Sequence, residues 1–522
     1  MQGGETLFGF YKRWFHYYKD HAYVPPQADP QMQRQLGKDL LENVVTVRQL
    51  YSNSEDLVTR AVQVSGVSAQ LLFCEGMVDN QAFAELVAEP LSNLELEDAS
   101  AEGLQRWLRE NAILAIDQKE FYTFGELFSF MMSGFVILLV DGLSTGTALG
   151  IQGFNFRGVG EPTTEINVRG SKESFVEPVR INLTLIRRRI KSPSMKFESL
   201  TLGSKSNTAV YLVYMTDCVS QELLQEVKRR LSKVKMDVIL SSGYLQPYLD
   251  EKTHSIFSGV GVTERPDTLC AKIREGRIAV LVDGTPFALI VPYLFHENFQ
   301  SLDDYAQRPY YATFIRWLKY LSFFVSMLLP GVYVAMVSFH PELFPHALLL
   351  NVASSETITP FPIMLEALLI HVIYEIMREA GLRLPRPIGH AVGIVGALVI
   401  GDAAVTAGLI GAPMVMVVAL TAISSFVVPS LYEPVTVLRL AFILAGGLLG
   451  LYGITLLLML VGLNLCAVNP FGIPATSPET PFSLYSMRDV MVRAGWKHLG
   501  KENLRVQDLP GSELPEERGQ GQ

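Results

Sequence analysis

With 522 residues the chain is too long for one compact core and is expected to divide into several domains. Its formal net charge of -9, from 52 acidic and 43 basic side chains, argues against a nucleic-acid partner, which favours a basic face. Hydrophobic residues make up 49% of the chain, and the charges crowd into residues 1–319 and 478–522, which predicts an integral membrane protein with a large soluble front region.

Residues 1–54 form an N-terminal extension, with helical periodicity from about Gln35 to Tyr51; its start, 1–21, is aromatic and basic and lacks the continuous apolar stretch of a signal peptide, so the front region is expected to stay in the cytoplasm. The four cysteines, Cys74, Cys218, Cys270 and Cys466, lie far apart and form no CxxC or His-paired motif. They read as reduced thiols, and neither a metal nor a cofactor is expected.

Two soluble units follow, residues 55–160 and 161–310. The first carries an apolar run at 69–73, helical stretches near 80–89 and 101–111, a helix at 121–133, a strand at 135–140, Asp141-Gly142 and a strand at 147–152. The second repeats the order: a strand at 209–215, helices at 220–233 and 267–275, a strand at 277–282, Asp283-Gly284 and a strand at 287–291. Asp-Gly between apolar runs is a strong hairpin signal, because glycine tolerates the positive φ of tight turns. The matching order predicts a duplicated α/β subdomain. Between the copies, residues 171–191 show helical spacing and end in Arg187-Arg188-Arg189 before Pro193. Cations at a helix C-terminus complement the backbone dipole; the alternative use of this cluster is docking to an acidic neighbour or to headgroups. Thr263-Glu264-Arg265-Pro266-Asp267 reads as a capped turn, with Thr263 or Asp267 starting the next helix and Glu264 and Arg265 paired locally, or as a subunit or membrane joint.

Residues 311–468 predict an all-α transmembrane bundle. A span needs about 20 mostly apolar residues, and runs at 318–338, 388–410, 413–428 and 438–465 qualify, the third only with its flanks. Arg316 and Lys319 mark the cytoplasmic end of the first. Residues 363–380 are amphipathic: His371, Glu375, Arg378 and Glu379 share one arc, and Glu366 sits alone on the apolar side. Gly389, Gly393, Ala397 and Gly401 form a small-residue row suited to close helix approach, and Asp402 follows it. The two charge signals conflict. Arg378, Arg383 and Arg386 place a loop inside the cell and send the C-terminus outside, whereas the cations of the tail, residues 469–522, keep it inside. Weighting the tail predicts four spans, with 363–380 embedded without crossing, and a disordered end from 508.

These stretches resemble the A subunit of the GerA family of spore germination receptors. The resemblance is carried by residues 182–191, 263–267, 275–292, 299–305, 366–369, 378–385 and 419–426, in one order from about 55 to 510. It implies a protein of the spore inner membrane working with a transporter-like, nutrient-sensing B subunit and a lipid-anchored C subunit. It also implies a homo-oligomeric ring, a pentamer, forming a ligand-gated cation channel whose opening starts germination. A sister branch, the SpoVAF proteins, shares this architecture and amplifies ion release; the run from Ala403 to Pro429 resembles the receptor branch more. Asp402 departs from the neutral polar residue expected there, which weakens a pore role carried over to it. Acidic side chains facing a wet lumen favour cations, and Glu375, Glu366 and Asp402, with His371 beside them, are the pore or gating candidates. A secondary transporter predicts inverted repeats among the helices, and none is legible. An enzyme is not expected, since the front region shows no P-loop, GxSxG or HExxH.

Overall fold

The computed structural model describes residues 30–96, 98–110, 117–153, 160–250, 255–384, 401–483, 485–499 and 504–514. The first sheet contains β1 (Leu57–Val64), β2 (Val67–Cys74), β3 (Gln118–Phe121), β4 (Phe135–Val140) and β5 (Gly146–Gly150), in the order β1-β2-β4-β5-β3. The second contains β6 (Met195–Leu202), β7 (Thr208–Met215), β8 (Gly261–Thr263), β9 (Ile278–Val282) and β10 (Ala288–Val291), in the order β6-β7-β9-β10-β8. Both are antiparallel throughout, and in each the third strand of the sequence takes the far edge. The register repeats as well. Ala69 pairs with Val140 and Leu72 with Ile137, as Val210 pairs with Val282 and Val213 with Ala279. Gly142 and Gly284 adopt φ of 87° and 84° in the two Asp-Gly turns, which an L side chain rarely tolerates.

Sequence patterning reached the inner strands and missed β1, β3, β6 and β8. Inner strands are covered on both faces and therefore read as continuous apolar runs, whereas edge strands keep polar residues. Helices α1 (Leu40–Leu50), α2 (Ala101–Glu110) and α3 (Phe124–Met131) belong to the first unit. Val136, Leu138 and Val140 pack with Leu104 and Leu108 of α2, while Ile137 and Leu139 pack with Val47 of α1 and Leu127 of α3. In the second unit, α4 (Val179–Arg189), α5 (Gln221–Leu231) and α6 (Pro266–Arg274) repeat the arrangement. Val280 and Val282 meet Leu223 and Val227 of α5, and Ala279 and Leu281 meet Ile186, Leu269 and Ile273.

A helical region follows: α7 (Pro309–Phe339), α8 (His346–Glu356), α9 (Ile363–Arg383), α10 (Ala412–Ser425) and α11 (Tyr432–Ala467). Two stretches, Pro309–Phe339 and Pro429–Ala467, are long and apolar enough to cross a membrane among the described residues. The expected run at 388–410 lies largely outside the described residues, as do Gly389, Gly393 and Ala397; the run at 413–428 is α10, of 14 residues.

The stretch expected as one span at 438–465 is a hairpin. The backbone of α11 breaks at Gly450, with φ 64° and ψ -150°. A Cβ placed on Gly453 would lie 2.4 Å from the carbonyl oxygen of Ala445, eight residues back, whereas a straight helix separates such residues by about 12 Å. The first limb, 432–449, runs parallel to α7: Arg439 bonds the Ser326 carbonyl, Gly446 abuts Gly331, and Gly450 abuts Phe339. The second limb returns, and Asn464 accepts from the hydroxyl of Ser255, close to the second sheet. A Cβ on Gly446 would sit 2.4 Å from the Gly331 carbonyl oxygen, so α7 and the first limb touch backbone to backbone. Gly446→Leu is therefore expected to cost about 3 kcal/mol, the upper part of the overpacking range. Thermal unfolding of the detergent-purified chain checks this, with Gly462→Leu, whose Cβ meets nothing within 4 Å, as the neutral control.

Helix α9 runs the opposite way to α7. Met364 lies against Gly447 near the hairpin tip, while Glu375 bonds Tyr432 at the sheet-proximal start of the limb. It runs the depth of the helical region, from the hairpin tip to the sheet-proximal end. Gly408 lies against Ile358, and Gly411 donates to Glu366, so the chain is back at the distal end when α10 begins. After α11, residues 469–514 fold onto the second sheet unit. Phe295 donates to the Ala475 carbonyl, Val506 to that of Glu275, and Leu294, Ile473, Val506 and Leu509 form a small core. Residues 508–514, the first part of the end that the sequence predicted to be disordered, belong to this fold, and 515–522 lie outside the described residues.

Candidate functional site

An arginine stranded among apolar helices is costly unless its charge and donors are met, so Arg439 organises whatever packs around it. It is the one Lys or Arg of α11 and is 1% exposed. Its Nε donates to the Ser326 carbonyl of α7 at 2.9 Å, and its Nη1 lies 3.4 Å from Oε1 of Glu375 on α9. Glu375 also accepts from the Tyr432 hydroxyl at 2.7 Å and from Arg378 Nε at 3.1 Å, and the Arg378 guanidinium lies 3.8 Å from the Tyr432 ring centroid. One carboxylate thus holds two cations and joins α9 to α11, and Arg439 extends the node to α7. An open groove of about 510 Å³ flanks the node, lined by Val372, Glu375, Ile376, Glu379, Arg383 and Leu440.

The other pore candidates separate from it. Glu366 is 1% exposed and accepts the Gly411 amide at 2.7 Å, placing a carboxylate at the N-terminal end of α10, where the backbone dipole favours it. His371 is buried one turn from Glu375, and its Nδ1 lies 2.7 Å from the Ala367 carbonyl. Asp402 is exposed.

The basic run of α4 is bound within the chain. Arg187, 1% exposed, grips Asp56 of the first unit through Nε at 2.8 Å and Nη2 at 3.0 Å. It also donates to the carbonyls of Ser192 and Met195 and lies between the rings of Tyr51 and Phe197, joining the two sheet units. Arg188 and Arg189 both pair with Glu173. In the 263–267 stretch, Glu264 and Arg265 do not pair with each other. Arg265 pairs with Asp267 at 2.7 Å, and Glu264 accepts from Thr163, the amide and hydroxyl of Thr164, and the Glu165 amide. Burial alone would raise the Glu264 carboxyl, but the Glu165 and Thr164 amides outweigh it and hold it below its ordinary value. Burial pushes neighbouring Glu165 up to about 7.

Sequence reasoning missed Arg439, although a lone cation in an apolar run was a visible signal. It also missed the joint at the base of α7. There Arg316, fully buried, pairs with Asp304 and Asp489, each at 2.8 Å, tying the first apolar helix to the C-terminal segment. Among the described residues no group of His, Cys, Asp and Glu is arranged to hold a metal ion.

The family model described as Bacillus/Clostridium GerA spore germination protein matches residues 45–504. The chain belongs to this GerA family. Among its relatives, spore germination protein KA of Bacillus subtilis is 38% identical over 469 residues, covering 88% of this chain and 85% of that protein. Spore germination protein GerLA of Bacillus cereus is 32% identical over 488 residues, covering 93% and 99%. A crystal structure of the N-terminal domain of the A subunit of the Bacillus megaterium spore germinant receptor GerK3 aligns at 29% identity, covering 50% of this chain and 98% of that one, with a TM-score of 0.40. Within the GerA family, then, this member sets two antiparallel sheet units before a helical region that contains the Arg439–Glu375 node.

Proposed function

We propose that the chain is the A subunit of a spore nutrient germinant receptor, assembling as a ring of copies, a pentamer, around a ligand-gated cation path in the spore inner membrane. The observation that carries this reading is the match to the GerA family over residues 45–504, joined to relatives named for spore germination. A transporter-like B subunit and a lipoprotein C subunit are its partners, and nutrient binding to a partner biases the ring by its differential affinity for closed and open states.

The helix directions support a multi-pass topology. In this reading α7 leads outward, α9 returns, α10 starts again from the distal end and returns, and the limbs of α11 lead out and back. This order leaves the sheet units and residues 469–514 on one side. Both cation signals then agree: Arg378 and Arg383 at the end of α9 and the tail all face the cytoplasm. Glu375 is engaged by Arg378 and Arg439, so the node represents a closed arrangement in which the carboxylate is withheld from passing cations.

The test is nutrient-triggered ion flux from vesicles containing the chain with its B and C partners. Glu375→Gln, which keeps one acceptor oxygen, turns the other into an N–H donor and removes the charge, is expected to change cation flux or selectivity. Asp402→Asn is the parallel probe at the exposed carboxylate. Unchanged flux in both variants removes these residues from the path, and silence of the intact complex under nutrient removes the channel.

A further inference from the structure

We propose that the loop formed by residues 163–170 is a membrane-interface anchor that places Ile166 and Val168 at the headgroup–acyl boundary beside the base of α7. This rests on the membrane reading above and adds a contact made by the soluble part of the chain.

Four observations carry it. First, Ile166 and Val168 are 78% and 83% exposed, among the most exposed large apolar side chains of the sheet units. Second, the backbone that presents them is held on both sides. Glu264 binds residues 163–165, Arg265 donates to the carbonyls of Glu165 and Ser171, and Asp303 accepts the amides of Val168 and Arg169 at 3.2 and 3.0 Å. A loop pinned by this many polar contacts presents its apolar tips at little further entropic cost. Third, the level is fixed. Asp304, next to the anchoring Asp303, pairs with Arg316 at 2.8 Å and lies 3.5 Å from Lys319, the two cations at which α7 turns apolar. Fourth, the same level carries exposed indoles. Trp317 donates to the Met491 carbonyl and Trp496 to that of Tyr305, with 57% and 60% of their surfaces open. Exposed tryptophan beside flanking cations is the arrangement favoured at a membrane–water interface. Arg169, exposed beside Val168, supplies a cation at headgroup height.

An environment-sensitive fluorophore on the full-length chain tests the placement. Cys466→Ser removes the one exposed native thiol, since Cys74, Cys218 and Cys270 are buried. Single cysteines are then introduced as Ile166→Cys, as Leu448→Cys on the outward limb of α11, and as Leu41→Cys on α1 for a water reference, the latter two being 64% and 73% exposed. Each is labelled and reconstituted into phosphatidylcholine vesicles with or without brominated acyl chains. Shallow bromines are expected to quench the probe at 166 at least about twofold more than the probe at 41, with a blue-shifted emission, as for a side chain at the acyl boundary. Quenching at 448 with none at 166 overturns the proposal and leaves the membrane reading standing. A blue shift at 166 that bromine does not touch means that protein covers the loop, and also overturns it. No quenching at 448 or 166 removes the membrane reading and the anchor together.

Discussion

Glu375→Leu is expected to destabilise the helical region by about 3–5 kcal/mol, the range for removing one partner of a buried ion pair. Arg439 would keep only its bond to the Ser326 carbonyl, and Arg378 would keep only the face of the Tyr432 ring. Arg439→Met should cost less, because Glu375 retains Arg378 and the Tyr432 hydroxyl. The double variant Glu375→Leu with Arg439→Met should recover part of the loss, since replacing both members by apolar groups removes the stranded charge. The midpoint of thermal unfolding in detergent, measured for the two single variants and the double, reads the coupling directly. Equal costs that simply add would show that the two side chains do not depend on each other.

The second large effect belongs to the sheet units. Arg187→Met leaves Asp56 buried without its cation and removes two carbonyl contacts and two ring contacts at one position. A loss of about 3–5 kcal/mol is expected, a large share of the 5–15 kcal/mol that holds a typical domain folded. Arg187→Lys should not rescue it, because a single ammonium cannot match the paired bonds from Nε and Nη2 to the two oxygens of Asp56. Arg187→Met with Asp56→Leu should return most of the stability. Denaturant midpoints of the full chain check the series, and limited proteolysis between the sheet units reports whether they separate before they unfold. An unchanged midpoint in Arg187→Met would mean that the joint contributes nothing.

Much of the sheet architecture was legible because burial on both faces writes itself as unbroken apolar runs. Residues 135–140 and 278–282 announce inner strands, and their shared Asp-Gly turns announce the duplication. The edge strands left a weaker trace: β8 has three residues, and β1 mixes Arg60 and Gln63 into its run. Arg187 shows the limit of local reasoning. Its position at a helix end explained a cation, but the partner that buries it lies 131 residues earlier in sequence. In the helical region the error was one of counting. Residues 438–465 look like a single span because glycine reads as one more small residue, yet Gly450 takes a backbone conformation that lets the chain reverse within one step. The sequence reads as one element what the structure forms as two limbs of opposite direction. The Arg439–Glu375 pairing was beyond reach for a different reason: it depends on α9 and the first limb of α11 meeting at one depth, which periodicity does not encode.

The limbs of the α11 hairpin, at 432–449 and 451–467, rise only about 26 Å each, and the 14 residues of α10 only about 21 Å, against a hydrocarbon layer of about 30 Å. Under the proposed multi-pass topology, a bilayer enclosing such short elements would pinch toward them and store elastic strain in the surrounding lipid. On that reading acyl-chain length would be a mechanical input: thicker membranes would load the short helices harder, and a rearrangement that lengthens or tilts them would be driven in part by the relaxation of the lipid itself.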